Sequence, residues 1–568
     1  MIPRLISSDK LGGMSMKHRM TMTILGLLIT ISANAAEQPR LVLQITVDGL
    51  RADMLSRYRH NFTTGGFNYL LENGAVYTNA HHAHANTETI VGHSSLATGA
   101  HPSVHGMTGN VWFDADSGEL AYNIEDPAAP ILPTRANLLE GTQVDPTQKA
   151  ARTDGRSPRA LLVPTLSDAM TVQSAGKARV FGVSGKDRSA VAMAGHTGKA
   201  FWMSTDSGDF VTSEYYYSDY PAWATNWNRE RKSEAYSESE WKLLLEPEAY
   251  VLGEQDDRPY EMDLKGYGRV FPHRFARADD SLFNTQILVS PVGDELLMDF
   301  ARTLIVGEAL GQDEVTDYLS VSFSGVDAVN HFFGPSSLEN EDVVLRLDRT
   351  LETFFGYIDG IIGLKNTLVV LSADHGMAEM PEYMTELGYE VGRIRNEEVT
   401  DIANRVGTEE FGINELASFF FRPYLYLDDG KILDSGHSVA SVEQAVARAV
   451  ANHPGVKVAI PRSGLSDLER TETLQRVANN THPQRSGHIY VVQKPYWFMF
   501  ESGPIAVMHG SPWNYDSHVP LIFVGSNIDA GRITRPVETI DAAPTIAQYL
   551  GIASPAGAHG VPLVEVIE

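Results

Sequence analysis

Short apolar runs recur along the chain, and most of them stop at polar residues suited to chemistry. The runs are Leu41–Val47, Ala178–Val183, Tyr318–Phe323, Thr367–Leu371 and Val519–Val524. Continuous apolar runs of this length are typical of parallel strands that are buried on both faces. They therefore predict the strands of one parallel sheet.

Two longer stretches between these runs carry apolar residues at helical spacing. The stripes are Leu297, Phe300 and Leu304 in Asp294–Glu308, and Leu347, Leu351 and Phe355 in Glu341–Ile362. Alternating strands and amphipathic helices predict an α/β fold, a three-layer sandwich with a mainly parallel central sheet and helices on both faces. Ligands bind such a sheet beyond the carboxyl ends of its strands, where the polar residues of this chain are expected.

Two regions interrupt the alternation. Residues 201–283 are rich in Tyr, Trp and acids, and residues 395–486 have a strand and a helix of their own at Tyr424–Leu427 and Val442–Ala451. We interpret both as insertions that cap one catalytic domain spanning 36–568. A chain of 568 residues is long enough for such an elaborated domain.

The first 35 residues have the pattern of a signal peptide. Basic residues at Lys17–Arg19 precede the apolar run Met20–Ser32, and Ala33-Asn34-Ala35 offers small residues for cleavage after Ala35. The run is short for a membrane span, and no later run comes close. We expect a periplasmic or secreted protein without stable membrane association; an uncleaved anchor helix is the alternative.

The net charge and the cysteine content limit the partners and the kinds of site that the protein can have. Without the first 35 residues the chain has 41 basic and 71 acidic residues, a net charge of −30. Such a charge argues against nucleic-acid partners and anionic membranes, which need basic surfaces. It also means that metal ions or local cations must attract an anionic substrate. Because the chain has no cysteine, thiolate zinc sites and cysteine nucleophiles are excluded.

Acids and histidines recur next to the predicted strands. Two are acid–histidine pairs, Asp327-x-x-x-His331 and Asp374-His375-Gly376, and two are a single acid or histidine before a glycine, Asp48-Gly49 and His509-Gly510. Oxygen and imidazole ligands without sulfur suit Zn²⁺ or Mn²⁺. Each pair taken singly has an ordinary structural explanation, such as a helix cap or a surface histidine. Together at one sheet edge they predict a metal site.

The segment from Thr87 to Gly106 carries a more specific signal. Its pattern, Thr-x-x-x-His-x-x-x-x-Thr-Gly-x-x-Pro-x-x-His-Gly, resembles the nucleophile segment of alkaline-phosphatase-superfamily phosphatases and nucleotide phosphodiesterases. Asp48-Gly49-Leu50-Arg51 and Asp374-His375-Gly376-Met377 match the metal motifs of these enzymes in the same order. The resemblance covers roughly residues 41–524.

This resemblance implies roles for individual residues. Thr89 would be the nucleophile at a helix N-terminus, with Thr87 as a competing candidate. Two zinc ions are implied. Asp48, Asp374 and His375 would hold the ion that activates Thr89, with Thr89 itself as a further ligand. Asp327, His331 and His509 would hold the ion at the leaving-group oxygen. His518 is the alternative to His509 as the last ligand.

Three further residues are implied to bind phosphate. Similar bacterial phosphomonoesterases with a Thr nucleophile carry a Lys-x-Arg pair, here Lys186 and Arg188, and an Asn after the nucleophile helix, here Asn110. Lys186 and Arg188 are expected to share one side of an extended segment. The spacing around them is not that of a phosphate-binding P-loop.

Other histidines are given structural roles. His81, His82 and His84 are expected in a solvated loop, with a metal cluster as the less favoured reading. His93, His101 and His105 are expected to be structural or to support the metal ligands.

The sequence thus predicts an exported phosphatase that hydrolyses small phosphate monoesters through a phosphothreonine intermediate and releases inorganic phosphate. A phosphodiesterase or nucleotide pyrophosphatase with the same two-zinc site is the main alternative. A non-catalytic phosphate- or zinc-binding protein is disfavoured by the intact set of candidate residues. A sulfatase is excluded because the Cys/Ser-x-Pro-x-Arg motif is missing. The physiological ester, structural Ca²⁺ and the oligomeric state stay open.

Overall fold

The computed structural model describes residues 38–114, 117–133, 145, 147–466, 471–499 and 505–567. The predicted signal peptide lies outside these residues. Within the described ranges, no helix is both long enough and apolar enough to cross a membrane.

A mixed, mostly parallel sheet forms the centre of the described structure. Its strands, in spatial order, are Gly531–Ile533, Ala75–His81, His518–Val524, Thr367–Ser372, Leu41–Val47, Asp317–Phe323, Val180–Ser184, Lys199–Met203 and Phe210–Val211, with Val537–Glu538 also paired to Ala75–His81. Leu41–Val47 pairs in parallel with both of its neighbours. The predicted α/β fold with a mainly parallel sheet is confirmed.

One strand departs from the expectation. His518–Val524 runs antiparallel to Thr367–Ser372 and to Ala75–His81. A strand that is buried on both faces is apolar throughout whichever way it runs, so its direction cannot be seen in its sequence. The direction follows from where the preceding chain enters the sheet.

Alternate residues of the central strand pack against different helical layers. Leu41, Leu43 and Ile45 belong to a core shared with helices Pro291–Gly307 and Leu338–Ile361. Val42 points to the opposite face and belongs to a core shared with helix Ala542–Tyr549. Helices therefore cover both faces of the sheet, as the period-two geometry of a fully buried strand requires.

The remaining elements complete the described ranges. The other α-helices are Ala52–Arg57, Phe67–Asn73, Thr89–Thr98, Pro102–His105, Leu166–Gln173, Asp187–Ala194, Ala222–Arg229, Phe283–Leu288, Gly325–Phe333, Pro381–Glu386, Asn396–Val406, Asp429–Asp434, Val439–Val450, Glu472–Asn480, Asn514–Ser517 and Val564–Ile567. Two-stranded pairs form between Val111–Asp114 and Glu119–Tyr122, Glu240–Trp241 and His273–Arg274, and Arg393–Ile394 and Phe498–Met499.

Three strands of a second, antiparallel sheet lie in the predicted insertion at 395–486, and its fourth strand, Ile489–Gln493, lies just beyond it. Its strands, in spatial order, are Ala417–Phe421, Tyr424–Leu427, Ile489–Gln493 and Val456–Pro461. Helices Asn396–Val406 and Val439–Val450 share an apolar core with it. We call the described residues of 395–493, which are 395–466 and 471–493, the accessory lobe. In the other predicted insertion, residues 201–203 and 210–211 belong to strands of the central sheet. A capping role for either region stays a prediction.

The expectation of a solvated loop at His81–His84 is wrong for His82 and His84, because both side chains are fully buried. His82 Nε2 donates to Ala373 O at 3.1 Å, and His84 Nδ1 lies 3.4 Å from Ser95 Oγ. His105 Nε2 approaches the same serine at 3.2 Å. The segment folds between the sheet edge and the helix that starts at Thr89, a placement that local composition does not show.

These buried histidines predict a loss of stability in acid. Burial lowers the pKa of His82 to about 3 and those of His84 and His105 well below the ordinary 6.5. The unfolded chain therefore binds more protons below pH 6.5, and stability falls as the pH drops from there, by up to about 1.4 kcal/mol per pH unit for each histidine. Urea unfolding at pH 7.5, 6.0 and 5.0 measures this slope.

The matched variants for this measurement are His84→Gln and, at the exposed His437, His437→Gln. His84→Gln should flatten the pH dependence, and His437→Gln should leave it as in the wild type. If stability falls equally steeply with pH in the wild type and in His84→Gln, the prediction that buried His84 destabilises the protein in acid is contradicted.

Candidate active site

Three carboxylates meet at the carboxyl edge of the central strands. Asp48 follows Leu41–Val47, Asp374 comes two residues after Thr367–Ser372, and Asp327 lies in the helix that follows Asp317–Phe323. These three strands are neighbours, so their parallel register places the acids side by side. All three side chains are fully buried. The fold thus brings together acids that are up to 326 positions apart in the sequence.

The first candidate metal group contains Asp48, Asp327 and His375, whose ligand atoms all lie within 4.8 Å of one another. His375 Nε2 lies 3.3 Å from Asp48 Oδ1 and 3.4 Å from Asp374 Oδ2. His375 Nδ1 donates to Gly376 O at 2.8 Å, which leaves Nε2 as the ligand atom. The structure therefore gathers the expected set of Asp48, Asp374 and His375 and adds Asp327 beside it.

The second group contains Asp327, His331 and His509. His331 Nε2 lies 3.2 Å from Asp327 Oδ2, one turn along the same helix. His509 Nε2 lies 3.7 Å from Asp327 Oδ1. Both histidines donate from Nδ1 to backbone oxygens, Val507 O at 2.9 Å and Thr87 O at 2.7 Å, so both present Nε2.

His518 begins the strand His518–Val524 and is paired with His81 of the next strand. Its Nε2 donates to Thr78 O at 3.0 Å, and its ring stacks on His81 with centroids 4.7 Å apart. The geometry therefore places His509, and not His518, beside Asp327.

The donor atoms suit a divalent cation. Asp48 Oδ1, Asp327 Oδ1 and Asp374 Oδ2 are buried and accept no hydrogen bond. Three ionised carboxylates at this depth are costly without compensating positive charge. Their oxygens face imidazole nitrogens fixed in the ligand tautomer, which is the arrangement of a mixed Asp/His metal centre.

Thr89 begins the helix Thr89–Thr98 directly beside these groups. Its Oγ1 lies 3.5 Å from His375 Nε2 and 3.4 Å from Arg188 Nη2. Gly92 lets the helix pack on the strand end, because a Cβ there would lie 1.9 Å from Asp374 O. The helix N-terminus favours negative charge on the Thr89 oxygen. The hydroxyl of Thr87 is used elsewhere, since it donates to Ser511 O at 2.9 Å.

The three candidate phosphate-binding side chains line the same cavity, and one of them, Arg188, contacts the Thr89 oxygen. Lys186 Nζ lies 2.7 Å from Asp48 Oδ2 and also contacts Asp327. Burial alone would lower the pKa of Lys186, but the carboxylates of Asp327 and Asp48 raise it above its ordinary value. Asn110 Oδ1 accepts from Ile90 N at 3.1 Å, which directs the remaining amide NH₂ away from the helix.

Lys186 itself is extended, with φ −114° and ψ 139°, but the expectation that the extended segment continues to Arg188 is wrong. Helix Asp187–Ala194 begins at the next residue, Lys186 is its N-cap, and Arg188 is its second residue. The residues directly after Val180–Ser184 are polar. They therefore lack the apolar spacing by which the start of a helix is recognised in a sequence. Arg188 Nη1 is held by Asp145 Oδ2 at 2.8 Å.

Two further residues support the site. His93, expected to be structural or to support the metal ligands, donates from Nδ1 to Thr89 O at 2.8 Å and lies 3.1 Å from Asp374 Oδ2. Its i+4 spacing from Thr89 is the signal that places it there. Asp294, not identified from the sequence, accepts from Ser324 N and Gly325 N at 3.0 and 3.1 Å, and so holds the start of the Asp327 helix. No sequence signal links it to that helix.

A cavity of about 430 Å³ opens onto the site. Asn110, Lys186, Arg188, Asp327, His331 and His509 line its polar side. Trp202, Leu288, Phe332 and Met508 are among its apolar lining residues. The cavity has room for a phosphoryl group and an attached organic group.

Comparisons with known proteins agree with this geometry. The family model for type I phosphodiesterase / nucleotide pyrophosphatase matches residues 42–512, and the chain belongs to this family. Alkaline phosphatase PafA of Elizabethkingia meningoseptica is 32% identical over 96% of this chain and 98% of its own length. A protein of Myroides odoratus named calcium-transporting ATPase is 31% identical over 95% of this chain and 96% of its own.

Solved structures extend the match to three dimensions. The crystal structure of wild-type PafA superposes with a TM-score of 0.85 at 31% identity, covering 94% of this chain and 100% of the other. Alkaline phosphatases from three more bacteria are 29–30% identical over at least 92% of this chain. The chain is thus an enzyme of the alkaline phosphatase type, and the predicted superfamily is confirmed.

Proposed function

We propose that this enzyme hydrolyses phosphate monoesters and releases inorganic phosphate, with Thr89 as the nucleophile and two zinc ions as cofactors. The observation that carries the proposal is the convergence of Thr89, Lys186, Arg188 and Asn110 beside two Asp/His groups. The first step forms a bond from Thr89 Oγ to phosphorus while the bond to the leaving oxygen breaks. Water then cleaves the phosphothreonine, which returns the hydroxyl and releases phosphate.

The residues for the metal ions are the members of the two groups together with Asp374, whose Oδ2 lies 3.4 Å from His375 Nε2. Asp48, Asp374 and His375 would hold one ion, and Asp327, His331 and His509 the other. When bound, zinc would supply positive charge beside the attacking and the leaving oxygens, as in two-metal phosphatases. The chain itself orients Thr89 at a helix start, with the Arg188 guanidinium 3.4 Å from the attacking oxygen.

The preference for monoesters depends on the cations around Thr89. A monoester dianion keeps three non-bridging oxygens, and the Arg188 fork, the Lys186 amine and the Asn110 amide can donate to them. A diester has one charge less and carries a second organic group where these side chains stand. A PafA variant of known structure is changed at a Thr, an Asn, a Lys and an Arg; the first two are 21 positions apart and the last two are two apart, the same spacings as Thr89 to Asn110 and Lys186 to Arg188.

A phosphodiesterase is the second candidate, because the matching family model describes diesterases and pyrophosphatases. A monoesterase and a diesterase would use the same metal groups. They would differ in the side chains around the third non-bridging oxygen of the monoester. Lys186 and Arg188 therefore decide between them.

The deciding experiment measures kcat/KM for a monoester and a diester with the same leaving group in Lys186→Ala, Arg188→Ala and the double variant. Each charge-assisted hydrogen bond contributes about 1.5–3 kcal/mol, so each single change should lower monoester turnover roughly ten- to a hundredfold. Diester turnover should fall little or rise. Arg152→Ala, at an exposed ion pair with Glu119, is the matched control. Equal losses for both esters would favour the diesterase.

We also propose that the enzyme is exported by cleavage of residues 1–35. The support is the basic, apolar and small-residue order of that segment. N-terminal sequencing of the mature protein should begin at Ala36.

A further inference from the structure

Arg422 extends from the accessory lobe into the active site. It lies between strands Ala417–Phe421 and Tyr424–Leu427 and is only 6% exposed. Its Nη1 donates to His509 O at 3.0 Å, and its Nη2 lies 3.3 Å from Glu88 Oε1. One guanidinium from the accessory lobe therefore contacts the nucleophile segment and the loop of His509.

Glu88 is the residue directly before Thr89 and is fully buried. Its Oε2 accepts from Asn110 N at 2.6 Å and from Asn86 Nδ2 at 3.3 Å. Asn110 in turn accepts from Ile90 N, the residue after Thr89. Glu88 thus fixes the backbone on which both Thr89 and the Asn110 amide depend.

The negative charge of Glu88 is poorly suited to its position. A buried carboxylate one residue from the nucleophile repels a phosphate dianion that binds there, and little water is present to screen it. Arg422 supplies the compensating charge. Its second contact orients the backbone of His509, whose ring also donates to Thr87 O.

The backbone at Gly510 is adapted to this arginine. Gly510 has a φ of +111°, and a Cβ there would lie 2.7 Å from Arg422 Nη1. A side chain at that position would therefore displace the guanidinium or strain the loop. The loop leaves room for Arg422 directly after the candidate ligand His509.

We propose that Arg422 is a positioning residue with two separable effects. It neutralises Glu88 so that a phosphate dianion binds beside Thr89, and it holds the His509 loop so that the imidazole faces Asp327. This proposal rests on the proposed function, because it assumes a phosphate dianion as the ligand and a metal ion held by His509.

The first test is binding of inorganic phosphate to the zinc-loaded protein by calorimetry, which requires no turnover. Arg422→Met keeps the volume but removes the charge, and should weaken phosphate binding about tenfold or more, because Glu88 is left unpaired. Adding Glu88→Gln to Arg422→Met should restore most of the lost affinity. Glu88→Gln alone should bind phosphate at least as tightly as the wild type.

The second test separates the two contacts. Arg422→Lys keeps the positive charge but loses the fork, so phosphate affinity should stay within about threefold of the wild type while affinity for the more weakly bound zinc ion falls about tenfold. Arg485→Met is the matched control: Arg485 also comes from the accessory lobe but donates to Gly106 O and Ala160 O, and it should change neither quantity.

The outcomes that overturn the proposal are specific. They are unchanged phosphate affinity in Arg422→Met, a double variant as weak as Arg422→Met, or a tenfold loss in Glu88→Gln alone. If Arg422→Met does not fold, the phosphate and zinc affinities of Arg422→Lys and Glu88→Gln still test the proposal. Because phosphate binding is measured without catalysis, this result is independent of whether Thr89 proves to be the nucleophile.

Discussion

Replacing Thr89 by alanine should lower phosphatase turnover by several orders of magnitude while the protein stays folded and binds zinc. The change removes the oxygen that attacks phosphorus in the first step of the proposed reaction, so no phosphothreonine can form. Thr89→Ser keeps an oxygen at the same place and should retain much more activity. The measurement is kcat with a monoester, combined with thermal unfolding and zinc content for each variant.

The control is Thr87→Ala, because Thr87 lies two residues away but its hydroxyl donates to Ser511 O. Losing that hydrogen bond should cost about 1 kcal/mol of stability and little activity. If Thr87→Ala abolishes turnover and Thr89→Ala does not, the nucleophile is misassigned. Mass spectrometry of acid-quenched enzyme should locate the trapped phosphate on the peptide that contains Thr89.

Removal of metal should abolish activity, and added Zn²⁺ should restore it. Six side chains, three carboxylates and three imidazoles, would hold two ions, so chelation should empty both sites. Activity after chelation, followed by titration with Zn²⁺ and with Mn²⁺, measures both the requirement and the number of ions. Full activity in metal-stripped protein would contradict the proposed mechanism.

His509 and His518 provide a matched pair for the second ion. His509→Ala removes a nitrogen 3.7 Å from Asp327 and should lower the zinc content towards one ion per chain. His518→Ala removes a ring that stacks on His81 outside the site, and should leave both ions bound. The reverse result would place the last ligand at His518.

The sequence by itself determined the class of fold and most of the candidate residues. Strand Leu41–Val47 is found with the bounds expected from its apolar run, and the helix expected at Glu341–Ile362 spans Leu338–Ile361. Such elements are visible because burial imposes a local period on the residues that form them. The Thr-x-x-x-His segment and the Asp-His-Gly motif are likewise local, so spacing and resemblance were enough to single them out.

Only the tertiary structure decided which of these residues meet. His509 and His518 are both histidines near the last long strand, and the choice between them depends on which one the fold brings within reach of Asp327. The antiparallel direction of His518–Val524, the burial of His82 and His84, and the helix start at Lys186 also depend on contacts between distant segments. Arg422 shows the same limit most clearly. It lies 334 positions from Glu88, and no local sequence pattern indicates that the two charges are paired.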